Sequence, residues 1–462
     1  MPSELSRRAF LKRASALSLA GAATPFVMNL AAMGEAAAAT ATDYKALVCV
    51  FLYGGNDYAN TLVPYDNAQY GIYQAQRPGL AYAQSALTPT ALTPSVPLPN
   101  GAQYALAPEL AKLLPLFNAG NLAVLLNAGT LVQPTTKAQY QAHVSLPPKL
   151  LSHNDQQSYW QASSPEGAAS GWGGRIGDLL QSGNGTATLT CINATGNAAF
   201  LTGQAAVQYS VTPAGPIALN ARNSLQGSTA AASLLQSLIS GGGTHEFEAA
   251  LGSIGARALD LYSQVSAALG QAPATTTVFP TAADPQSSLG AQLQLVAKLI
   301  SVSSQLGAKR QVFFVSTGRY DTHAGLVTLH PTLLTNLADA LRAFYDTTVE
   351  LGVASQVTTF TGSDFGRALT ANNDGTDHGW GSMHFVLGGA VRGGRYYGIN
   401  PTLANGGPDD IGQGRLIPTL SVDQYAATLA SWFGIPNSDL ATVVPNIGNY
   451  AGSALGTNVG FV

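Results

Sequence analysis

Residues 46–52, ALVCVFL, are an unbroken apolar run of strand length that stops at Gly54-Gly55. A strand with no polar face is buried on both sides, as in a parallel sheet covered by helices. The rhythm recurs: 110–117 reads as a short helix and 121–126 as the next strand. Further on, 293–306 reads as a helix and 311–316 (QVFFVS) as a buried strand. Pro331 then opens a long helix, a position where proline is tolerated, and 356–361 (QVTTFT) is the next strand. Leu333, Leu334, Leu337, Leu341, Phe344 and Tyr345 fall on one face of that helix. The end of the chain reads as a strand over 385–390, a hairpin over 392–398 and an amphipathic helix over 422–433.

The expected fold is a three-layer α/β/α sandwich with a mainly parallel central sheet. Its two parts, 42–180 and 291–462, flank a segment of different character. That segment, 181–290, is dominated by Ala, Ser, Thr and Gly, and reads as a partly helical insertion or cap or as biased scaffold. Residues 65–101 read as an irregular excursion rich in Pro, Ala, Gln and Tyr.

The first 41 residues read as an export signal. Ser6-Arg7-Arg8-Ala9-Phe10-Leu11-Lys12 is a twin-arginine pattern, followed by a weakly apolar run over 14–32 and small residues over 36–41. The expected location is therefore periplasmic or secreted, and the expected mature chain has no membrane span. Charged residues make up 10% of the chain, the net charge is -3 and no basic run occurs. That excludes a nucleic-acid footprint. Cys49 lies inside the first apolar run and reads as a core residue; a disulfide with Cys191 is the other option.

Against this low charge, four polar clusters that follow strands stand out. They are Gly54-Gly55-Asn56-Asp57, Asp321-Thr322-His323, Ser363-Asp364-Phe365-Gly366-Arg367 and Gly375-Thr376-Asp377-His378-Gly379. Open α/β sheets bind ligands at the carboxyl ends of their strands. Carboxylates and imidazoles brought there from distant segments suit a metal or catalytic site. Within Ser152-His153-Asn154-Asp155, Ser152 is a candidate nucleophile or, with Asn154, a helix cap. Asn60 and Thr61 either cap a helix or hold an anion at its start. Arg367 is an anion clamp or a bridge to Asp364. His143, His245 and His330 read as structural or surface residues, and His384 as a lesser site candidate.

The segments FLYGGNDYANTLVPY (51–65), LLSHNDQQSYW (150–160), GWGGRIGDLL (171–180), STGRYDTHA (316–324), TGSDFGRAL (361–369), NDGTDHGWG (373–381) and FVLGGAVRGGRYYGINP (385–401) follow in a characteristic order. In that order the chain resembles the secreted bacterial family called domain of unknown function 1501, a branch of the alkaline phosphatase-like superfamily. The resemblance implies an alkaline phosphatase-like sandwich that hydrolyses phosphate or sulfate esters with one or two divalent ions. Zinc is the first candidate, with calcium, magnesium and manganese as others. It also implies metal ligands at Asp57, Asp321, His323, Asp364 and His378, with Asp377 beside them, and a small anionic ester as substrate or ligand. The chain departs from the pattern at Phe365, where related enzymes carry histidine, at Leu326 in place of glutamine, and at Asp364 in place of glutamate. A non-catalytic binding or assembly protein that keeps a degenerate site is the alternative reading.

Overall fold

The computed structural model describes residues 43–462 except 197, 221–222, 243–244 and 281–287; the twin-arginine segment lies outside the described residues. The main sheet contains β1 (Lys45–Leu52), β2 (Leu122–Gly129), β3 (Cys191–Asn193), β4 (Tyr209–Thr212) and β5 (Gly215–Pro216). It is completed by β6 (Arg310–Thr317), β7 (Val357–Ser363), β8 (Ser382–Leu387), β9 (Tyr396–Tyr397) and β10 (Leu420–Ser421). The strand order is β9-β2-β8-β7-β1-β6-β3-β4-β5, with β10 also paired to β2. Strand β1 is parallel to both β6 and β7; β8 alone among the longer strands runs antiparallel to its neighbours.

Strand β1 explains the layering. Ala46, Val48, Val50 and Leu52 face one core, and Leu47, Cys49 and Phe51 face the other. Seven helices matter below: α1 (His153–Ala162), α2 (Trp172–Leu180), α3 (Thr229–Ser240), α4 (Glu246–Leu269), α5 (Leu289–Ser301), α6 (Leu326–Glu350) and α7 (Val422–Phe433). Helices α5 and α6 cover the first core, while α2 and α7 cover the second. The molecule is thus a three-layer α/β/α sandwich around a mainly parallel sheet. Cys49 and Cys191 are free and buried, so neither forms a disulfide.

The structure departs from the sequence reading at several elements. Tyr396–Tyr397 pairs in parallel with β2 and is no hairpin partner. The N–H groups of Gly393 and Gly394 donate to the Gly120 and Leu122 carbonyls and draw the segment alongside β2. Pro331 lies inside α6, which begins at Leu326. Its start is set by Asp374, whose carboxylate and carbonyl accept from the N–H groups of Gly325 and Leu326. The 110–117 segment is a 3-10 helix, Pro108–Leu113, running into a short α-helix, Leu114–Asn118. The 181–290 segment is divided: β3, β4 and β5 extend the main sheet, whereas α3 and α4 pack on each other outside it.

Candidate metal centre

In register, Leu52 at the end of β1 lies between Thr317 of β6 and Ser363 of β7. Three strands therefore release their chains at one level. Gly54 (φ 114) is required there, because a Cβ on it would sit 2.4 Å from the Asp321 nitrogen. The Gly54 N–H donates to Asp364 Oδ2 at 3.1 Å, and its carbonyl accepts from Arg367 Nη1 at 3.1 Å. Beyond β7 the strands Arg367–Ala371 and Thr376–His378 form a small antiparallel pair that sets His378 opposite Arg367. Gly375 lets this pair close on the β6 loop: a Cβ there would lie 2.3 Å from the His323 carbonyl. Helix α1 reaches the same place with its first residue, His153, while Trp160 further along it packs on Gly362 of β7.

Around Asp321 the donor atoms converge. His323 Nε2 and His378 Nε2 are 2.9 Å apart, and each lies 3.2 Å from Asp321 Oδ1. His153 Nε2 lies 3.4 Å from Asp321 Oδ2. The donor atoms of His153, Asp321 and His378 all fall within 4.8 Å of one another. Ligands ~2.0–2.1 Å from a tetrahedral zinc are ~3.3 Å apart, so these separations suit such an ion.

The outer nitrogens are held. His378 Nδ1 donates to the Leu151 carbonyl at 2.8 Å, which leaves its Nε2 lone pair facing the cluster. His153 Nδ1 meets Asp364 Oδ2 at 2.7 Å, and Gln157 Nε2 donates to the same oxygen at 2.8 Å. His323 Nδ1 lies 3.4 Å from Asp377 Oδ1. Carboxylates and carbonyls behind imidazoles are the usual means of orienting metal-binding histidines. Either a proton on His323 Nε2 or a cation shared with Asp321 accounts for the close approach of His323 Nε2 and His378 Nε2. The donor set fits a divalent ion.

Charge is balanced around this cluster. Burial works to raise the Asp321 pKa, but the hydrogen bond and charge of Arg367, with help from His323 and His378, hold it below its ordinary value. The Asp364 hydrogen bond pushes the His153 pKa up against burial, and the Asp321 charge adds to the effect. Burial lowers the pKa of His378. Phe365 packs against both rings, at centroid distances of 4.9 Å to His153 and 4.6 Å to His378.

The other expected site residues are placed differently. Asp57 is fully buried and both its oxygens are taken by Arg77, at 2.5 and 2.7 Å. Burial opposes its ionisation, yet Arg77 holds its pKa down, so it is a counter-ion and not a free ligand. Asn60 accepts from Tyr73 and Arg77, and Thr61 donates to the Asp57 carbonyl. Both are buried around a single 3-10 turn, Tyr58–Asn60, that offers no helix start to an anion. Ser152 precedes α1, and its hydroxyl donates to Asp155 at 3.0 Å. Asn154 lies within α1 and caps nothing. Arg367 bridges Asp321 at 2.6 Å, not Asp364. Its remaining donors go to Gly54 and Thr376, which makes it an internal brace. Asp364 stands behind His153, with Oδ1 buried and unpaired. Asp377 accepts from Asn372 at 2.6 Å and lies behind His323.

His330 and His384 are buried away from the cluster, against Asn56 and Thr361. His245 sits at the start of α4, and His143 is exposed. The residue that sequence reading passed over is His153. Its signal was the SHND segment itself, where the hydroxyl drew attention and the imidazole beside it did not.

Solved structures overlap this chain, among them these three. A sulfatase from Pseudoalteromonas sp. covers 90% of this chain and 72% of its own, with 10% identity and a TM-score of 0.36. The lipoteichoic acid synthase LtaP of Listeria monocytogenes covers 89% and 80%, with 9% identity and a TM-score of 0.31. A protein of a glycosaminoglycan locus in Bacteroides thetaiotaomicron covers 86% and 74%, with 11% identity and a TM-score of 0.33. No curated protein matches the sequence. The family described as protein of unknown function (DUF1501) matches residues 44–435, and with that match across most of its length the chain belongs to this family.

Proposed function

We propose that this protein is an exported, metal-dependent hydrolase of phosphate or sulfate esters, of alkaline phosphatase-like descent. One observation carries the reading: donor atoms of His153, Asp321 and His378 all lie within 4.8 Å of one another, with His323 Nε2 2.9 Å from His378 Nε2, and the outer nitrogens of His153 and His378 are fixed by Asp364 and the Leu151 carbonyl. His153, Asp321, His323 and His378 would hold the ion. Three nitrogens and one oxygen favour zinc over calcium or magnesium, which take oxygen ligands; manganese ranks between them. The donors suffice for one ion, since Asp57 is neutralised by Arg77.

When bound, such an ion polarises an ester oxygen and makes water a stronger acid. The remaining work falls to the chain. Arg367 keeps Asp321 ionised and in place. Arg415 donates to the His378 carbonyl at 2.7 Å and brings a positive charge to the rim, where an anionic ester would enter. Beside α1, Tyr53, Asn154, Gln157, Ser158, Gln161 and Glu166 border a groove of about 290 Å³. It offers polar partners to the alcohol portion of a substrate. The Ser152 hydroxyl donates to Asp155 and is not one of the cluster's donors, so water is the nucleophile in this reading.

That lack of a free hydroxyl in the cluster is also what favours the second reading, a binding or assembly protein with a degenerate site. Metal analysis of the purified protein, joined to a screen of phosphomonoesters, phosphodiesters and sulfate esters, separates the two. The hydrolase reading expects about one zinc per chain and turnover that is lost in His153→Ala and His378→Ala. Metal without turnover favours the binding protein. Neither metal nor turnover sinks the proposed centre.

A further inference from the structure

Helix α4 carries a seam that its own fold covers only in part. Phe247, Leu251, Ile254, Ala258, Leu261, Val265 and Ala268 recur in alternating steps of four and three. That is the seam spacing of a coiled coil. The second half of the seam is spent: Leu261, Val265 and Ala268 are buried in the same core as Leu189, Ile192 and Val211. The first half is bare, with Phe247 80%, Leu251 67% and Ile254 53% exposed.

Helix α3 adds to this bare half. The two helices run antiparallel, because a Cβ on Gly252 would meet Gly241 and one on Gly255 would meet Ile239. Leu251, Ile254 and Leu238 each precede a residue of that contact. Helices of opposite direction turn in opposite senses when viewed from one end, so the residue before each contact projects to the same side of both. Leu238 is 70% exposed and Leu234, one turn earlier, 62%. Leu234, Leu238, Phe247, Leu251 and Ile254 thus form one apolar face on a two-helix arm.

We propose that this face pairs with the same face of a second copy, forming an antiparallel four-helix bundle about a two-fold axis at Leu251. A two-helix face about 18 Å long and 20 Å wide covers roughly 360 Å² per copy, about 700 Å² in the pair, which makes the pairing a weak one. The charges fit. Glu246 and Arg257 are exposed on the flank away from α3, and neither makes an ion pair within the chain among the described residues. Two-fold pairing about Leu251 sets Phe247 against Ile254 and brings Glu246 of one copy level with Arg257 of the other. A lipid surface suits the arm less well. Helices α3 and α4 hold no lysine and, beside Arg257, carry only the acidic Glu246, Glu248 and Asp260.

Sedimentation equilibrium of the purified protein tests the pairing. The expected result is a dimer that Leu251→Glu weakens at least ~tenfold in dissociation constant, with circular dichroism and metal content unchanged. Glu246→Arg and Arg257→Glu should each weaken it, and the two together should restore it. Leu251→Cys should cross-link to itself under mild oxidation. Should Leu251→Glu misfold, Phe247→Ser is the second variant, since its ring is the most exposed of the five. A monomer at ~100 µM, a dimer indifferent to these variants, or a monomer that instead binds phosphatidylcholine vesicles would overturn the proposal.

Discussion

Asp57 and Asp364 are both fully buried carboxylates that follow neighbouring strands, and their partners separate their roles. Arg77 occupies both oxygens of Asp57. Asp57→Ala should therefore strand a buried guanidinium and cost about 3–5 kcal/mol in urea unfolding, while leaving zinc content unchanged. Asp364 orients His153. Asp364→Asn should lower zinc affinity about 10–100-fold by calorimetric titration, with a much smaller loss of stability. Equal losses of zinc in the two variants would contradict this division. Sequence could list the strand-end acids but not rank them. Arg77 lies in the excursion over 65–101, where nothing marks it as a partner of Asp57, and His153 arrives from a helix that follows none of the four clusters. Which carboxylate meets a cation and which meets an imidazole is decided by tertiary packing.

At the scale of elements, long patterned runs were readable and short edge pieces were not. Helix α7 spans 422–433 as expected, because Ser421 and Gln424 cap its start reciprocally, but it is buried on nearly every side and is not the amphipathic helix its pattern suggests. Tyr396–Tyr397 is only two residues long, too short for periodicity to tell a turn from a strand. The first turn of α7 also carries a conflict. Burial raises the Asp423 pKa to about 6, against the hydrogen bond from Asn446 and the charge of Arg175. A folded-state pKa above the unfolded one gives stability that is present below the unfolded value and lost as pH rises through about 6. Asp423→Asn should therefore melt higher than wild type at neutral pH, by the equivalent of about 3 kcal/mol. The difference should vanish at acid pH, below the ordinary carboxylate range. A gain of equal size at both pH values would rule out titration of Asp423 as its cause.

For the whole molecule, the twin-arginine reading predicts that replacing Arg7 and Arg8 together by lysine traps precursor in the cytoplasm, as cell fractionation would report. Unchanged export would refute that route. Among the described residues no helix is long and apolar enough to cross a membrane. Strand β1 bears on the same question through time. Its neighbours pair Lys45 with Arg310 and Ala46 with Val357. At ~5–20 residues per second, a ribosome that has made β1 needs roughly 15–60 s more to reach β6 and β7. For that interval a strand with two apolar faces waits on the nascent chain without its sheet. His378, the last of the candidate donors to be made, follows later still. If the proposed centre takes up a metal ion, the full donor set is available only after more than three quarters of the chain has been made, so uptake would follow most of the synthesis.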